Sequence, residues 1–253
     1  MGSSDYYPII FKRKSIRNYE LTPLDEGTLK NIKKEINSLK SLFKDVKTDF
    51  KIISHEDVNQ RMMKKAPHYI AAFSESSEGY KTNIGFMLQQ MDLYFSAHDL
   101  GSCWQGIPKP TKDVFKSSKL EFVILMAFGQ AKVPLHRRSI LEFKRKPLQK
   151  ICNVSGNEID ELLEAARLAP SATNSQPWYF TGDKNIIHAY SLKPNIIRAI
   201  MLKKYIPIDM GIALYHLKVA AEHFSKSVEF IFDEHAQQNS PQGYEYVISI
   251  RLS

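Results

Sequence analysis

Apolar positions recur every three or four residues over two stretches of the first half, and this spacing predicts amphipathic helices. The first stretch covers residues 29–39, for which Thr22 and Pro23 predict the N-cap and the first helical position. The second covers residues 84–98, and Gly101 is the expected left-handed cap at its end. Each helix therefore has an apolar face to bury.

Short apolar runs predict the strands. Residues 50–54 and 68–75 each form such a run, and residues 121–129 (EFVILMAFG) form a third that is almost wholly apolar. Together with the helices, these runs predict an α+β fold.

The second half of the chain repeats the first in outline. Arg13 opens RKSIRNY and Arg137 opens RRSILEF, whose serines are 124 positions apart. The long helix recurs after 126 positions, and the strand that begins at Glu121 recurs after 124, at Glu245. Three matches at nearly one offset indicate two copies of one α+β unit.

This repeat predicts the domain organisation, with one half over residues 1–135 and the other over residues 136–253. A helix that is apolar over most of its face needs a partner, so neither half is expected to stand alone, and together they form one intertwined pseudo-dimeric unit. The alternative is two unrelated stretches of similar pattern, which the shared basic-Ser start makes less attractive.

Residues 163–180, LEAARLAPSATNSQPWYF, are the most distinctive stretch, because an amphipathic helix leads there through a short polar segment into an apolar strand. Pro170 predicts that the helix ends by Ala169. We call residues 170–176 the polar turn; its hydroxyls, amides and backbone N–H groups are suited to hydrogen-bonding a flat polar ligand. A polar loop without a ligand is the general alternative for such a composition.

Composition is typical of a soluble globular protein, with 43% hydrophobic residues in 253. Cys103 and Cys152 are too few for a disulfide framework, so we expect free thiols in a reducing compartment. No run approaches the roughly 18 apolar residues of a membrane span. We expect a cytoplasmic protein that does not associate with membranes.

The net charge of +8 is spread along the chain rather than gathered in one run. A positive field favours anionic small molecules such as phosphates and nucleotides. No recognised nucleic-acid-binding signature is present, so nucleic acid is not an expected partner. The histidines lack metal-ligand spacing, and no metal is expected.

The two halves differ at their polar sites. We call residues 13–17 (RKSIR) the basic segment; its counterpart in the second half has Leu141 where the first half has Arg17. Conversely, the polar turn occurs only in the second half. These complementary losses predict a single composite site, with charged donors from one half and the polar turn from the other.

These residues resemble the flavin-dependent nitroreductase family. The basic segment is similar to that family's R-x-S-x-R start, and APSATNSQPWYF is similar to its A-P-S-x-x-N-x-Q-P-W string. LGSCWQG, after the long helix, resembles a third family segment. Ordinary members are homodimers with two FMN molecules at the interface, and this chain resembles the tandem subgroup, in which one polypeptide carries both halves.

The resemblance implies a set of FMN-binding residues, and no metal ligand or catalytic side chain. From the first half these are Arg13, Lys14, Ser15 and Arg17 for phosphate and ring oxygens, Asn59, Gln105 and Gly106 near the ring, and Lys132 for the phosphate. From the second half they are Arg137 for the phosphate, and Pro170, Ser171, Ala172 and Asn174, which would cover the isoalloxazine.

The function that follows from the resemblance is hydride transfer from NAD(P)H, through FMN, to a nitroaromatic, a quinone or a similar small acceptor. The cofactor carries the chemistry, so no acid–base pair is required. We expect a monomer with pseudo-twofold symmetry, and further dimerisation is left open. The alternatives are a non-catalytic flavin- or nucleotide-binding protein on the same fold, and a basic interaction protein without flavin.

Overall fold

The computed structural model describes residues 3–59, 65–154, 156–193 and 203–253. These residues form an α+β fold, as predicted, in two compact units. We call Lys12–Ser139 the N-terminal unit, and Met1–Phe11 together with Ile140–Ser253 the C-terminal unit. None of the helices in the described residues is long and apolar enough to span a membrane.

The elements follow one another in this order: α1 (Tyr7–Ile10), α2 (Glu26–Ser38), β1 (Thr48–Ser54), β2 (Val58–Asn59), β3 (His68–Ser74), α3 (Tyr80–Ala97), β4 (Gly101–Gln105), β5 (Lys109–Pro110), α4 (Lys112–Lys116), β6 (Glu121–Gly129), α5 (Asn157–Arg167), β7 (Trp178–Gly182), β8 (Ile186–Leu192), α6 (Ile206–His223), β9 (Val228–Ile231), α7 (Glu234–Gln238) and β10 (Tyr244–Leu252). Short 3-10 turns cover Ser3–Tyr6, Ile140–Phe143, Leu148–Lys150 and Ala172–Asn174.

Within the described residues, each unit contains one four-stranded antiparallel sheet, and the two sheets have the same strand order. The N-terminal sheet runs β1-β3-β6-β4 and the C-terminal sheet runs β7-β8-β10-β9, so that in both the last strand lies between the second and the third. The long helices α3 and α6 each have 18 residues. The repeat read from the sequence is therefore confirmed at the level of topology.

The long helices are central to their units because they are buried on nearly every side. In the N-terminal unit, the rings of Phe95 on α3 and Phe128 on β6 stack at 4.6 Å and join the helix to the sheet. A helix with apolar residues on all sides must be covered by other elements, and here the sheet supplies part of that cover.

The division between the units differs from the predicted one in two respects. It falls after Ser139 rather than after residue 135, and residues 1–11, assigned above to the first half, belong to the C-terminal unit. The reason is the packing of α1, whose Ile9 and Ile10 are buried and whose Tyr7 ring stacks on His223 of α6 at 4.1 Å.

Two predicted helix boundaries are wrong. Helix α2 begins at Glu26, because Asp25 accepts a hydrogen bond from the Thr28 N–H and serves as the N-cap in place of Thr22. Helix α3 ends at Ala97, and Asp99 takes the left-handed conformation (φ 56°) that was expected at Gly101. The predicted strand over residues 121–129 and the predicted helix end before Pro170 are confirmed.

Candidate functional site

The basic segment of the N-terminal unit is fixed on both sides by backbone hydrogen bonds. The Ile16 N–H donates to the Ser102 carbonyl oxygen on β4 (2.8 Å), and the Arg137 N–H donates to the Lys12 carbonyl oxygen (2.7 Å). The Arg137 guanidinium also donates to the carbonyl oxygen of Arg13. The structure therefore places Arg137 beside the basic segment.

Lys132 lies on the same connection, where its N–H donates to the carbonyl oxygen of Asn18 (3.0 Å). Its ammonium group pairs with Glu20 at 3.2 Å, and both side chains are about half exposed. A pair in that environment is screened by water and contributes little to stability.

Arg13 is buried, with 1% of its side chain exposed, and its Nε lies 2.9 Å from Oδ2 of Asp92 on α3. The Asp92 carboxylate also accepts hydrogen bonds from Gln89 and Ser102. Nη2 of Arg13 donates to the Ser15 hydroxyl at 3.2 Å. The guanidinium thus points into the unit, where it holds Ser15 and the start of the basic segment.

Lys14 and Arg17 differ from Arg13. Lys14 is half-buried and Arg17 is exposed, and within the described residues neither makes a hydrogen bond or an ion pair. Arg17 lies close enough to Cys103 on β4 to lower the pKa of that thiol, although burial has the larger effect and raises it. Cys103 is a buried free thiol, as expected.

The remaining predicted residues of this unit lie on or after short strands. Gln105 ends β4 and is buried, and the half-buried Gly106 follows it. Asn59 is the last residue of β2, and its side-chain amide donates to the Pro110 carbonyl oxygen on β5 (3.3 Å). The amide of Asn59 is therefore engaged in the β2–β5 pair.

The polar turn of the C-terminal unit has an unusual backbone. Thr173, Asn174 and Gln176 have φ values of 53°, 58° and 49°. Non-glycine residues seldom adopt this left-handed conformation, so the surrounding contacts must hold it. One of them is the hydrogen bond from the Gln176 N–H to the Ser171 hydroxyl oxygen (3.0 Å).

Asp209, in the first turn of α6, is the second anchor of the polar turn. The Ala172 N–H donates to both carboxyl oxygens, at 3.0 and 3.1 Å, and the Ser175 hydroxyl lies 3.4 Å from one of them. Asp209 is 3% exposed, and burial raises its pKa to about 8, against the smaller lowering effect of these hydrogen bonds. The carboxyl group is therefore mostly protonated at neutral pH.

Two cations provide further anchors. The Asn174 side-chain amide donates to the Lys144 carbonyl oxygen (3.0 Å) and accepts from Arg145 Nη1 (2.6 Å). The Lys146 ammonium donates to the carbonyl oxygens of Ser175 (3.1 Å) and Gln176 (2.9 Å), and burial lowers its pKa. Of the predicted ligands in the turn, Asn174 thus uses both its amide nitrogen and its amide oxygen within the unit, whereas among the described residues the Ser171 hydroxyl acts only as an acceptor.

The sequence analysis did not predict four residues that anchor the basic segment or the polar turn: Asp92, Arg145, Lys146 and Asp209. Signals for them were present. Asp92 and Asp209 are carboxylates inside otherwise apolar helical stretches, and a buried carboxylate requires polar partners. Arg145 and Lys146 belong to the run KRK that follows the second basic start.

An open groove of about 580 Å³ in the C-terminal unit contains none of the predicted site residues. It is lined by Tyr7, Phe11, Leu148, Asp160, Glu161, Glu164, His223 and Phe224. Its three carboxylates would repel a phosphate, so the groove does not suit an anionic cofactor.

Comparisons with known proteins agree with this fold. The family model described as "Putative TM nitroreductase" matches residues 5–221. A crystal structure described as a "putative nitroreductase" from Thermotoga maritima is 23% identical, with a TM-score of 0.67 over 99% of this chain and 94% of that chain. That similarity shows the fold.

Other solved structures align with about half of the chain. A "Putative NADH dehydrogenase/NAD(P)H nitroreductase" from Bacteroides thetaiotaomicron is 20% identical, with a TM-score of 0.45 over 58% of this chain and 95% of that one. An FMN-dependent nitroreductase from Mycobacterium smegmatis in complex with NADPH is 14% identical, with a TM-score of 0.39 over 58% of this chain and 100% of that one. None of the curated proteins matches the sequence significantly.

Proposed function

The chain belongs to the nitroreductase family, a family of oxidoreductases, and from this premise we propose that it is an FMN-dependent enzyme. In this proposal NAD(P)H is the hydride donor, and a nitroaromatic, a quinone or a similar small molecule is the acceptor. FMN supplies the hydride-transfer chemistry when it is bound, and the protein supplies binding and orientation.

The observation that carries the proposal is the pair Lys14 and Arg17. They present charged donors that no described residue uses, next to a strand that holds the basic segment in place. A phosphate dianion and the carbonyl oxygens of a flavin ring both require such donors, and arginine can engage them through two parallel hydrogen bonds. This donor set fits FMN.

Arg13 has a different role in the proposal. Because its guanidinium is buried against Asp92, we assign it to orienting Ser15 rather than to direct phosphate binding. Arg137, bonded to the backbone of Arg13, stabilises the same segment. The backbone of Lys14 and Arg17 is thereby held in place before the cofactor binds, which lowers the entropy lost on binding to that of ordering the two side chains.

The polar turn fits the ring of FMN less through hydrogen bonds than through packing. Its Ala172 N–H and Asn174 amide are already used within the unit, so the Ser171 hydroxyl proton is the donor that we assign to the cofactor. Pro170 and Ala172 would contribute apolar surface. Asn59, Gln105, Gly106 and Lys132 remain proposed contacts on the strength of the resemblance alone.

The direct test is to purify the chain, record its flavin absorbance, add FMN, and follow NADH and NADPH oxidation with a quinone or a nitroaromatic as acceptor. We expect FMN binding and acceptor-dependent oxidation of at least one of the two nucleotides. A protein that neither contains nor takes up FMN would contradict the proposal.

The use of the turn's donors within its own unit favours one alternative, a flavin-binding protein without turnover. Bound FMN that is not reduced by either nucleotide, in the presence of each acceptor, would support that alternative.

Arg17→Ala tests the assignment of the free cations. We expect a loss of at least about tenfold in FMN affinity, because one charge-assisted hydrogen bond contributes about 1.5–3 kcal/mol. FMN fluorescence quenching gives the affinity. Arg138→Ala is the matched control, since Arg138 is an exposed arginine outside the proposed site, and it should change the affinity less than about threefold. Equal effects of the two substitutions would contradict the assignment.

A further inference from the structure

Asp209 has a counterpart in the other unit. Asn83 lies 126 positions earlier, in the first turn of α3. Its Oδ1 accepts hydrogen bonds from the Leu42 N–H (2.8 Å) and the Phe43 N–H (3.1 Å). Those residues follow α2, just as Ala172, which donates to Asp209, follows α5. In both units the first turn of the long helix thus holds the loop after the preceding helix.

The two anchors differ in chemistry. Asn83 is neutral at every pH, whereas Asp209 carries an ionisable carboxyl group. The partners of Asp209 are the Ala172 N–H and the Ser175 hydroxyl, both on the turn, and within the described residues it forms no ion pair.

Three cations that bond the polar turn or lie on α5 are directed to partners other than Asp209. Lys146 donates to backbone carbonyls of the turn and Arg145 to Asn174. On α5, Arg167 pairs with Glu164. No charge on α5, α1 or the strands contributes to the raised pKa of Asp209, whose main cause is burial.

We propose that Asp209 is a positioning residue of the polar turn: its neutral carboxyl group fixes the turn through the Ala172 N–H, and its ionisation releases the turn. The proposal rests on the proposed function in one respect, that the polar turn is the part of the C-terminal unit that faces FMN.

The direction of the effect follows from where a charge can be stabilised. A neutral acid accepts a hydrogen bond from the Ala172 N–H, as the Asn83 amide oxygen accepts two. Burial disfavours the charged form of Asp209 more strongly than the hydrogen bonds from Ala172 and Ser175 favour it, and its pKa is therefore raised. A carboxylate in the same place is a buried charge that no cation of the described residues pairs with, so ionisation favours conformations that expose it to water. Three left-handed residues, Thr173, Asn174 and Gln176, make such conformations accessible because their backbone relaxes when the turn opens. The proton released goes to solvent.

Hydrogen exchange of the Ala172 amide, measured by NMR on the full chain without added FMN, tests the release directly. We expect the protection factor of the Ala172 amide, which is the intrinsic exchange rate at each pH divided by the observed rate, to fall at least about tenfold between about pH 6.5 and about pH 9. The Leu42 and Phe43 amides, held by Asn83, are the internal control and should keep theirs. A flat Ala172 profile in the wild-type protein would overturn the proposal, and this result requires no variant.

Asp209→Asn gives the matched variant, because it places in the C-terminal unit the side chain that the N-terminal unit already uses. We expect Ala172 to remain protected and its protection to become independent of pH. A variant in which the protection of Ala172 still falls with the wild-type midpoint would show that another group titrates, and would overturn the assignment to Asp209.

FMN affinity, measured over the same pH range, links the turn to the cofactor. We expect the affinity of the wild-type protein to fall at least about threefold as Ala172 loses protection, and that of Asp209→Asn to stay constant. An FMN affinity that stays constant while the Ala172 amide loses protection would overturn the positioning role. If the protection of the Ala172 amide falls with pH in a protein that binds no FMN at any pH, the proposed function is contradicted, whereas the anchoring by Asp209 is supported. If FMN binds but the protection of the Ala172 amide does not change with pH, the proposed function is supported and the anchoring by Asp209 is contradicted.

Discussion

Both long helices carry a buried aspartate, and the two units accommodate it differently. In the N-terminal unit Asp92 is fully buried and pairs with Arg13. In the C-terminal unit Asp209 is almost fully buried and has a backbone N–H and a hydroxyl as partners. A buried ion pair holds two segments together at a fixed charge, whereas an unpaired buried acid stays neutral and is sensitive to pH. One topology therefore contains two polar anchors with different responses to solution conditions.

Removal of the Asp92 carboxylate is expected to produce the largest effect. Asp92→Ala leaves the Arg13 guanidinium buried without its partner, together with the donors of Gln89 and Ser102. We expect the free energy of unfolding of the N-terminal unit to fall by about 3–5 kcal/mol. Urea unfolding in a Trp178→Phe background measures it, because Trp104 is then the only tryptophan and lies in that unit.

Glu20→Ala is the matched control, since it removes a carboxylate from the half-exposed pair with Lys132. Its effect should stay below about 1 kcal/mol. Comparable losses in the two variants would mean that the Arg13–Asp92 pair contributes no more than a surface pair.

The second largest effect is expected in the pH dependence of unfolding, which should differ between the two units. The pKa of Asp209 is raised from 3.8 to about 8 in the folded protein, so the folded unit retains a proton that the unfolded chain releases. The stabilisation that this proton gives the C-terminal unit is fully present below about pH 4 and decreases as the pH rises toward 8. The free energy of unfolding should fall by roughly 1–3 kcal/mol between about pH 5 and about pH 8. Urea unfolding followed through Trp178 in a Trp104→Phe background measures this change.

Exchange of the two anchors sharpens the same comparison. Asp209→Asn should flatten the pH dependence seen through Trp178, and Asn83→Asp should introduce a similar dependence into the N-terminal unit, seen through Trp104. An unaltered pH profile in both variants would show that the stability of neither unit is linked to these positions.

Helix capping is expected to give the smallest difference. The side chain of Asp25 caps α2, whereas α5 begins after Gly156 without a side-chain cap. Asp25→Ala should lower the thermal midpoint of the N-terminal unit by about 2–4 °C, and Thr22→Ala should leave it unchanged. Thermal unfolding followed through Trp104 checks both, and a larger effect at Thr22 would restore the capping role that the sequence predicted for it.

The apolar periodicity and the repeat predicted most of the fold because burial of apolar faces decides which segments become helices and strands. Boundaries were less predictable. Thr22-Pro23 and Asp25 are both acceptable helix starts, and only the hydrogen bond from Thr28 distinguishes them. The place of residues 1–11 in the C-terminal unit depends on contacts with α6, which local sequence does not encode.

The candidate site was predictable as a set of residue types but not as a set of partners. The sequence shows a basic segment and a polar turn, yet it does not show that Arg13 turns inward to Asp92 or that Asp209 reaches Ala172. Each of those contacts joins residues that are distant in sequence and meet only when a long helix packs against a loop. The repeat could have suggested the second contact, since Asn83 and Asp209 are related by the same offset as the helices that carry them.

The identical strand order of the two sheets within one polypeptide has a genetic consequence. When two identical chains supply the two copies of a unit, every mutation appears twice. Here a mutation changes one copy and leaves the other as it was. The two copies can therefore carry different side chains at corresponding positions, as Arg17 and Leu141 or Asn83 and Asp209 do, and selection can act on each copy separately.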